Sequence, residues 1–146
     1  MGQLEGRCAI VTGGAAGFGE AIARLYAQEG ARVVIADLDA ARGESLAAAL
    51  GAGARFVRCD VASRADIDGL VAACVDAFGA PDIVVNNAGT THVNQPMLQV
   101  DEATFDRMFD VNVKSIFHMA HAVVPLMRQR RGGVILNVGS TAGIRP

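Results

Sequence analysis

Short runs of apolar residues alternate along the whole chain with longer segments whose apolar residues recur at helical spacing. The short runs predict five β-strands, at 7–12, 31–37, 54–59, 82–86 and 134–138. The longer segments predict helices at 17–29, 40–50, 64–78 and 102–130. Because the strands are apolar on both faces and helices separate them, the pattern predicts an α/β fold: a doubly wound parallel sheet covered by helices.

Polar residues mark the predicted starts of three helices. Asp39 precedes the second helix and Asp101 the fourth, each at a position where a carboxylate can cap the first turn. Ser63 precedes the third helix, and Asp66 follows three residues later, which is the spacing of a capping box.

Two predicted helices carry their large apolar residues in a stripe. In the first helix the stripe consists of Phe18, Ile22 and Leu25. In the long fourth helix it consists of Phe105, Phe109, Val113, Ile116, Phe117, Ala120 and Val124. This spacing is the basis for predicting both helices, the second of them as one continuous element ended by Gly132 and Gly133.

A glycine-rich turn joins the first strand to the first helix. It reads Thr-Gly-Gly-Ala-Ala-Gly-Phe-Gly over 12–19, with Gly13, Gly17 and Gly19 at its key positions. Exposed backbone N–H groups at such a strand–turn–helix junction can bind a pyrophosphate, and side chains on the glycines would block its approach. By itself the cluster is equally consistent with a tight turn and a helix cap.

The second strand supplies independent support, because it ends in Asp37, 18 residues after Gly19. A carboxylate at this place can accept hydrogen bonds from an adenosine ribose and would repel a 2′-phosphate. No Arg or Lys stands at Ala16 or Leu38 to bind such a phosphate. The turn and the aspartate together predict dinucleotide binding, with NAD favoured over NADP.

Polar residues also follow the third and fourth strands. Asp60, followed by Val61, can accept a hydrogen bond from an adenine amino group; the alternative is a cap for the next helix, a role that Ser63 fills better. The segment 86–89, Asn-Asn-Ala-Gly, can lock neighbouring strands through its amides, and Gly89 lets the backbone approach a ligand. A plain turn is the alternative for this segment.

Composition narrows the function classes. The 146 residues suit one domain, predicted to span 1–146, and the net charge of −2 gives no basic surplus for nucleic acid or an anionic membrane. Without an apolar run of membrane-spanning length or a signal pattern, the expected location is cytoplasmic. The three cysteines form no C-x-x-C pair and are expected to be buried, reduced thiols. His118 and His121 lack a third ligand nearby in the sequence, so no metal site is predicted.

Taken together, these segments resemble the short-chain dehydrogenase/reductase family. The matching residues are Thr12, Gly13, Gly17 and Gly19 in the glycine-rich turn, Asp37, Asp60 and Val61, the segment 86–89, Asn112 in Asp-Val-Asn-Val, and Ser140 in Asn-Val-Gly-Ser-Thr-Ala-Gly. The resemblance covers essentially the whole chain. It implies a Rossmann-type fold and hydride transfer between a nicotinamide cofactor and a small alcohol or carbonyl substrate.

The resemblance also implies roles for particular residues. Ser140 is expected to hydrogen-bond the reacting oxygen, and Asn112 to support a proton-relay water. Cofactor contacts are expected at Gly13, Gly17, Phe18, Gly19, Asp37, Leu38, Asp60, Val61, Asn87, Ala88 and Gly89. Without the family, Ser140 would be read only as a turn residue at the end of a strand.

The chain departs from the family at its general acid/base, a Tyr-x-x-x-Lys pair that follows the serine in the family. The only tyrosine, Tyr26, lies seven residues past Gly19, about 10 Å along the helix and away from the site. The only lysine, Lys114, is two helix positions from Asn112, so the two point about 200° apart.

We therefore expect a fragment truncated after the fifth strand and inactive alone, with a non-catalytic dinucleotide-binding module as the alternative. The fifth strand would then form an exposed edge. The resemblance suggests a homo-oligomer for the full-length protein.

Overall fold

The computed structural model describes residues 2–140 and confirms the predicted alternation of strands and helices. The strands are β1 (Cys8–Thr12), β2 (Arg32–Asp37), β3 (Ala54–Arg58), β4 (Ile83–Asn86) and β5 (Val134–Asn137). The helices are α1 (Gly17–Gln28), α2 (Ala40–Leu50), α3 (Arg64–Phe78), α4 (Glu102–Phe109) and α5 (Ser115–Gln129). A short 3-10 turn, Met97–Gln99, precedes α4.

The strands form one parallel sheet in the order β3-β2-β1-β4-β5. The chain winds outward from β1 through β2 to β3, then returns to the other side of β1 for β4 and β5. This reversal makes a crevice beyond the carboxyl ends of β1 and β4, which is where open α/β sheets bind ligands. The order confirms the predicted Rossmann-type, doubly wound fold. Within residues 2–140, β5 is an edge strand that pairs only with β4.

Alternate residues of the buried strands supply two cores, one on each face of the sheet. Ile10 on β1 points into the core formed with α3 and α5, whereas its neighbour Val11 points into the core formed with α1 and α2. The first core is built mainly by Ile10, Val34, Val84, Ile67, Leu70, Met119 and Val123. The second is built mainly by Val11, Val33, Ile35, Val85, Ala23 and Leu46.

Helix α1 packs through its small residues and, of its large apolar stripe, through Ile22 only. Gly19 and Ala23 are buried, whereas Phe18 is 81% exposed and Leu25 is 53% exposed. The helix lies so close to the preceding turn that a Cβ at Gly19 would come within 2.0 Å of the Gly13 carbonyl oxygen. Large side chains therefore have no room on the inner face at this end.

The helix predicted over 102–130 is present from Glu102 to Gln129, but it is not α-helical throughout. A π-helical turn, Asp110–Lys114, separates α4 from α5. The buried residues recur every four positions through the turn and α5, at Val111, Ser115, Met119, Val123 and Met127. The apolar stripe of the sequence lies mostly outside this face, with Phe105, Phe109, Val113, Phe117 and Val124 all exposed.

Candidate functional site

The glycine-rich turn needs its glycines for three different reasons. Gly13 has a φ of 59°, and a Cβ there would lie 2.9 Å from the Cα of Ala88 on the neighbouring segment. Gly17 has a φ of 56° and borders open space, since no atom lies within 4 Å of an added Cβ. Gly19 permits the close approach of α1 to the turn. The first residues of α1 receive no cap from the side chain of Ala16, so their N–H groups are available to a ligand.

Asp37, at the end of β2, is tied to the glycine-rich turn. One carboxylate oxygen accepts the N–H of Ala15 at 3.0 Å, and the other accepts the N–H of Asp39 at 3.1 Å. The carboxylate is thereby fixed at the carboxyl edge of the sheet, and both oxygens retain lone pairs for further donors.

Ser63, and not Asp60, caps the start of α3. Ser63 accepts the N–H of Asp66 at 3.2 Å and donates its hydroxyl to that carboxylate at 2.9 Å, which confirms the predicted cap. The carboxylate of Asp66 reaches back to the N–H of Asp60 at 2.9 Å, and not to that of Ser63 as a capping box would require. The hydrogen bonds from Asp60 and Ser63 lower the pKa of Asp66.

Thr12 and Asn87 lock β1 to the segment after β4. The Thr12 hydroxyl accepts the N–H groups of Asn87 and Ala88, each at 3.1 Å, and donates to the Val85 carbonyl at 3.3 Å. The Asn87 amide donates to the carbonyl oxygens of Thr12 and Gly13 at 3.0 and 3.1 Å. The prediction that this segment locks neighbouring strands is confirmed for Asn87.

A first cleft of about 260 Å³ lies beyond the carboxyl ends of the strands. Its lining includes seven of the residues expected to contact a cofactor: Gly13, Asp37, Leu38, Asp60, Val61, Ala88 and Gly89. Cys59 also lines it, and burial raises the pKa of its thiol to about 12, so the thiol stays protonated near neutral pH. Gly17, Phe18 and Gly19 lie at the start of α1 outside this lining.

A second cleft, of about 510 Å³, adjoins the first at Ala88, Gly89 and Thr90. Its lining brings Asn112 and Ser140 together, although they are far apart in the sequence. It also includes Asn86 and Asn87. The Asn86 amide donates to the Asn137 side-chain oxygen at 2.9 Å, which ties β4 to β5 three residues before Ser140.

Asn112 lies in the π-helical turn, and its side chain pairs with the backbone of Thr90. Its oxygen accepts the N–H of Thr90 at 2.8 Å, and its amide nitrogen donates to the Thr90 carbonyl at 2.8 Å. The side chain therefore holds the loop that follows β4. Turns of this kind occur often at functional sites, because they change the direction of backbone groups within a helix.

Sequence reasoning assigned no role to Thr12 or Arg107. Thr12 bonds Asn87, 75 positions away, and Arg107 forms an ion pair with Asp60, 47 positions away, at 3.1 Å. No local pattern reports partners at such separations. For Thr12 two signals were available, its position at the carboxyl end of a buried strand and its place in the motif that carries the family resemblance.

The cysteines are buried free thiols, as predicted, with the sulfur atoms of Cys8 and Cys74 3.3 Å apart. Within residues 2–140, no three His, Cys, Asp or Glu side chains are grouped so as to hold a metal ion. Over the same range, no helix is long and apolar enough to cross a membrane.

Comparison with known proteins gives consistent matches. The sequence profile of the short chain dehydrogenase family matches residues 7–146. The chain is 47% identical to 4-formylbenzenesulfonate dehydrogenase of Comamonas testosteroni, over 99% of this chain and 58% of that protein. It is 42% identical to galactitol 2-dehydrogenase of Agrobacterium fabrum, over 98% of this chain and 56% of that protein.

A crystal structure of 3-ketoacyl-(acyl-carrier-protein) reductase from Brucella melitensis, complexed with NADH, superimposes on this chain with a TM-score of 0.93. The two are 41% identical, and the match covers 99% of this chain and 62% of that one. The chain thus spans less than two thirds of the length of these similar proteins.

Proposed function

Because this chain belongs to the short-chain dehydrogenase family, we propose that it is the cofactor-binding part of an NAD-dependent oxidoreductase. The observation that carries the proposal is the first cleft, where Gly13, Asp37, Asp60 and Gly89 meet beyond four parallel strands. The proposed substrate is a small alcohol or carbonyl compound. The enzyme would transfer a hydride between this substrate and the nicotinamide of the cofactor. The 146 residues are proposed to form a single dinucleotide-binding domain.

The glycine-rich turn fits a dinucleotide. Gly17 leaves the space beside the turn open, and the N-terminus of α1 offers uncapped N–H groups with a favourable helix dipole. We assign the pyrophosphate to this place, with Gly13, Gly17 and Gly19 permitting its approach. Phe18 and Leu38, both exposed, would supply apolar contacts at the rim. Asn87, Ala88 and Gly89 would border the cofactor from the side of β4.

Asp37 is the basis for proposing NAD. Its carboxylate accepts two backbone N–H groups and can still accept ribose hydroxyl donors. Since Ala15 and Asp39 fix the carboxylate, it cannot easily turn away from a 2′-phosphate, and the like charges would repel. The bound NADH of the similar reductase supports this choice.

Cofactor preference is tested by calorimetric titration with NAD and NADP. We expect tighter binding of NAD, and a smaller gap in Asp37→Ala. Asp39→Ala is the matched control, because Asp39 is a neighbouring carboxylate that caps α2 through the N–H of Arg42. It should lower stability but leave the preference intact. Tighter binding of NADP by the unaltered chain would refute the assignment.

The second cleft is proposed as the place of the reacting atoms. We assign to the Ser140 hydroxyl a hydrogen bond to the substrate oxygen, which would stabilise developing charge there. We also assign to Asn112, which lines the same cleft, the support of a proton-relay water. Its side chain holds the Thr90 backbone and keeps one amide donor and one oxygen lone pair for a further partner.

We propose that the 146 residues alone bind cofactor without useful turnover. They contain no Tyr-x-x-x-Lys pair, and general acid/base assistance is typically worth about 10²–10⁴-fold. The assay follows reduced nicotinamide absorbance across alcohols, sugars and ketones. A longer protein with the pair should be active, and Ser140→Ala in it should remove most activity. Robust turnover by the short chain, unaffected by Ser140→Ala, would contradict this assignment.

Assembly as a homo-oligomer is proposed for the full-length protein. The exposed apolar residues of α4, the π-helical turn and α5 support it, because contiguous apolar surface of this kind commonly marks an interface. Light scattering coupled to size-exclusion chromatography measures the mass; a full-length monomer at all concentrations would refute the proposal.

A further inference from the structure

Arg107 reaches from the last turn of α4 to the first cleft and contacts Asp60 with two nitrogen atoms. Its Nη1 lies 3.1 Å from Oδ2, and its Nη2 lies 3.4 Å from Oδ1. Both residues line the first cleft, where Asp60 is expected to accept a hydrogen bond from the adenine amino group and Asp37 to contact the adenosine ribose. The ion pair thus joins α4 to the segment after β3 at that cleft.

The ion pair restricts what Asp60 can do. Oδ1 also accepts the N–H of Ala62 at 3.0 Å, so three donors converge on a carboxylate that has room for about four. With its orientation fixed from two sides and its charge offset by the guanidinium, the carboxylate retains one accepting position. The Asp60 side chain is 31% exposed, so this position remains accessible from the cleft.

Stability alone does not account for this pair. The Arg107 side chain is 46% exposed, and ion pairs at that exposure contribute little to folding. Arg64 provides a comparison, since it is also 46% exposed and bonds Asp68 at 3.0 Å, one turn along the same helix and outside the lining of the first cleft. Arg107 differs from Arg64 in joining two separate elements where a ligand is proposed to bind.

We infer that Arg107 is a positioning residue that sets the selectivity of the cleft for adenine by holding Asp60 as a hydrogen-bond acceptor. Adenine presents an amino group at C6, which donates, whereas hypoxanthine presents a carbonyl oxygen there, which accepts. A carboxylate held in this orientation accepts a hydrogen bond from the adenine amino group and repels the hypoxanthine carbonyl oxygen. This inference rests on the proposed function, because it requires that the cleft hold the adenosine part of NAD.

The experiment compares the binding of NAD with that of nicotinamide hypoxanthine dinucleotide by titration. The unaltered protein should bind NAD about tenfold more tightly, which is the order expected for one hydrogen bond to a charged acceptor. Arg107→Met should weaken NAD binding about three- to tenfold and bring the two ligands to within about threefold of each other. Arg107→Lys should restore part of the selectivity, since an ammonium group can make one of the two contacts.

A double-mutant cycle separates an action through Asp60 from a direct contact with adenine. If Arg107 acts through Asp60, Arg107→Met should change NAD affinity less than about twofold once Asp60 is replaced by Ala. Arg64→Met is the matched control and should leave both affinities unchanged. Urea unfolding of each variant checks that the fold is retained, and Arg107→Gln carries the same test if the Met variant does not fold.

The outcomes distinguish the inference from the proposed function. If NAD binds but Arg107→Met behaves like Arg64→Met, the inference is overturned and the proposed function stands. Weakening by Arg107→Met that persists in the Asp60→Ala background also overturns it, since Arg107 would then act independently of Asp60. Absence of NAD binding by the unaltered protein overturns both.

Discussion

The substitution Gly19→Ala tests the closeness of α1 to the glycine-rich turn. The new Cβ would lie 2.0 Å from the Gly13 carbonyl oxygen and 2.7 Å from the Asn87 side-chain nitrogen. Neither neighbour yields easily: one is backbone, and the other is held by hydrogen bonds to Thr12 and Gly13. The turn, and the segment after β4 with it, must therefore move.

The expected loss of stability follows from the contacts disturbed. Overpacking costs about 1–3 kcal/mol, and the two hydrogen bonds of Asn87 are worth about 1 kcal/mol each. Replacing a helical Gly by Ala returns about 1 kcal/mol. The net loss for Gly19→Ala is therefore about 2–4 kcal/mol, a large part of the about 5–15 kcal/mol typical of a domain.

Substitutions at two other glycines serve as controls for the change in stability. Gly17→Ala meets no atom within 4 Å but keeps a φ of 56°, so it should cost about 1–2 kcal/mol from backbone conformation alone. Gly69→Ala, in α3, also meets no atom within 4 Å and has no positive φ, so it should stabilise by about 0.5–1 kcal/mol.

The assay is urea unfolding at equilibrium, provided that two probes give coincident transitions. From most to least stable, the order should be Gly69→Ala, the unaltered chain, Gly17→Ala and Gly19→Ala. NAD binding should be lost in Gly19→Ala. If Gly19→Ala proved as stable as Gly69→Ala and bound NAD normally, the packing argument for the turn would be refuted.

Four further predictions concern stability and association. Ser63→Ala should lower the free energy of unfolding by about 1 kcal/mol in urea, because it removes the cap of α3, and no loss would contradict the cap. Because folding lowers the pKa of Asp66, its contribution to stability should be complete above its unfolded pKa of about 3.9. That contribution should decline as the pH falls through the folded pKa. Asp66→Asn should therefore flatten the acidic part of a plot of unfolding free energy against pH. Thr12→Val should cost about 2–3 kcal/mol, because it leaves two N–H groups without their acceptor, whereas Thr12→Ser should be close to the unaltered chain. The chain by itself should associate through the edge of β5, where Val134 and Leu136 are 58% and 47% exposed; light scattering that showed only monomer would contradict this.

The sequence by itself determined the elements of the fold and most of the cofactor cleft. Strand and helix periods differ, so the apolar pattern located each strand and each of the first three helices to within about one residue. The glycine-rich turn, Asp37 and Asp60 each lie at or just beyond the carboxyl end of a strand, and parallel strands bring their carboxyl ends to one edge. Their meeting in one cleft therefore followed from local pattern and from the handedness and order of α/β connections.

Only the tertiary structure decided what these residues contact. Arg107 is 47 positions from Asp60 and Thr12 is 75 positions from Asn87, and no periodic signal connects residues so far apart. The π-helical turn around Asn112 was equally invisible, since it shifts the hydrogen-bond register of the helix without changing its composition. Local patterns report propensity and periodicity, whereas these features depend on how close separate segments come once the sheet has formed.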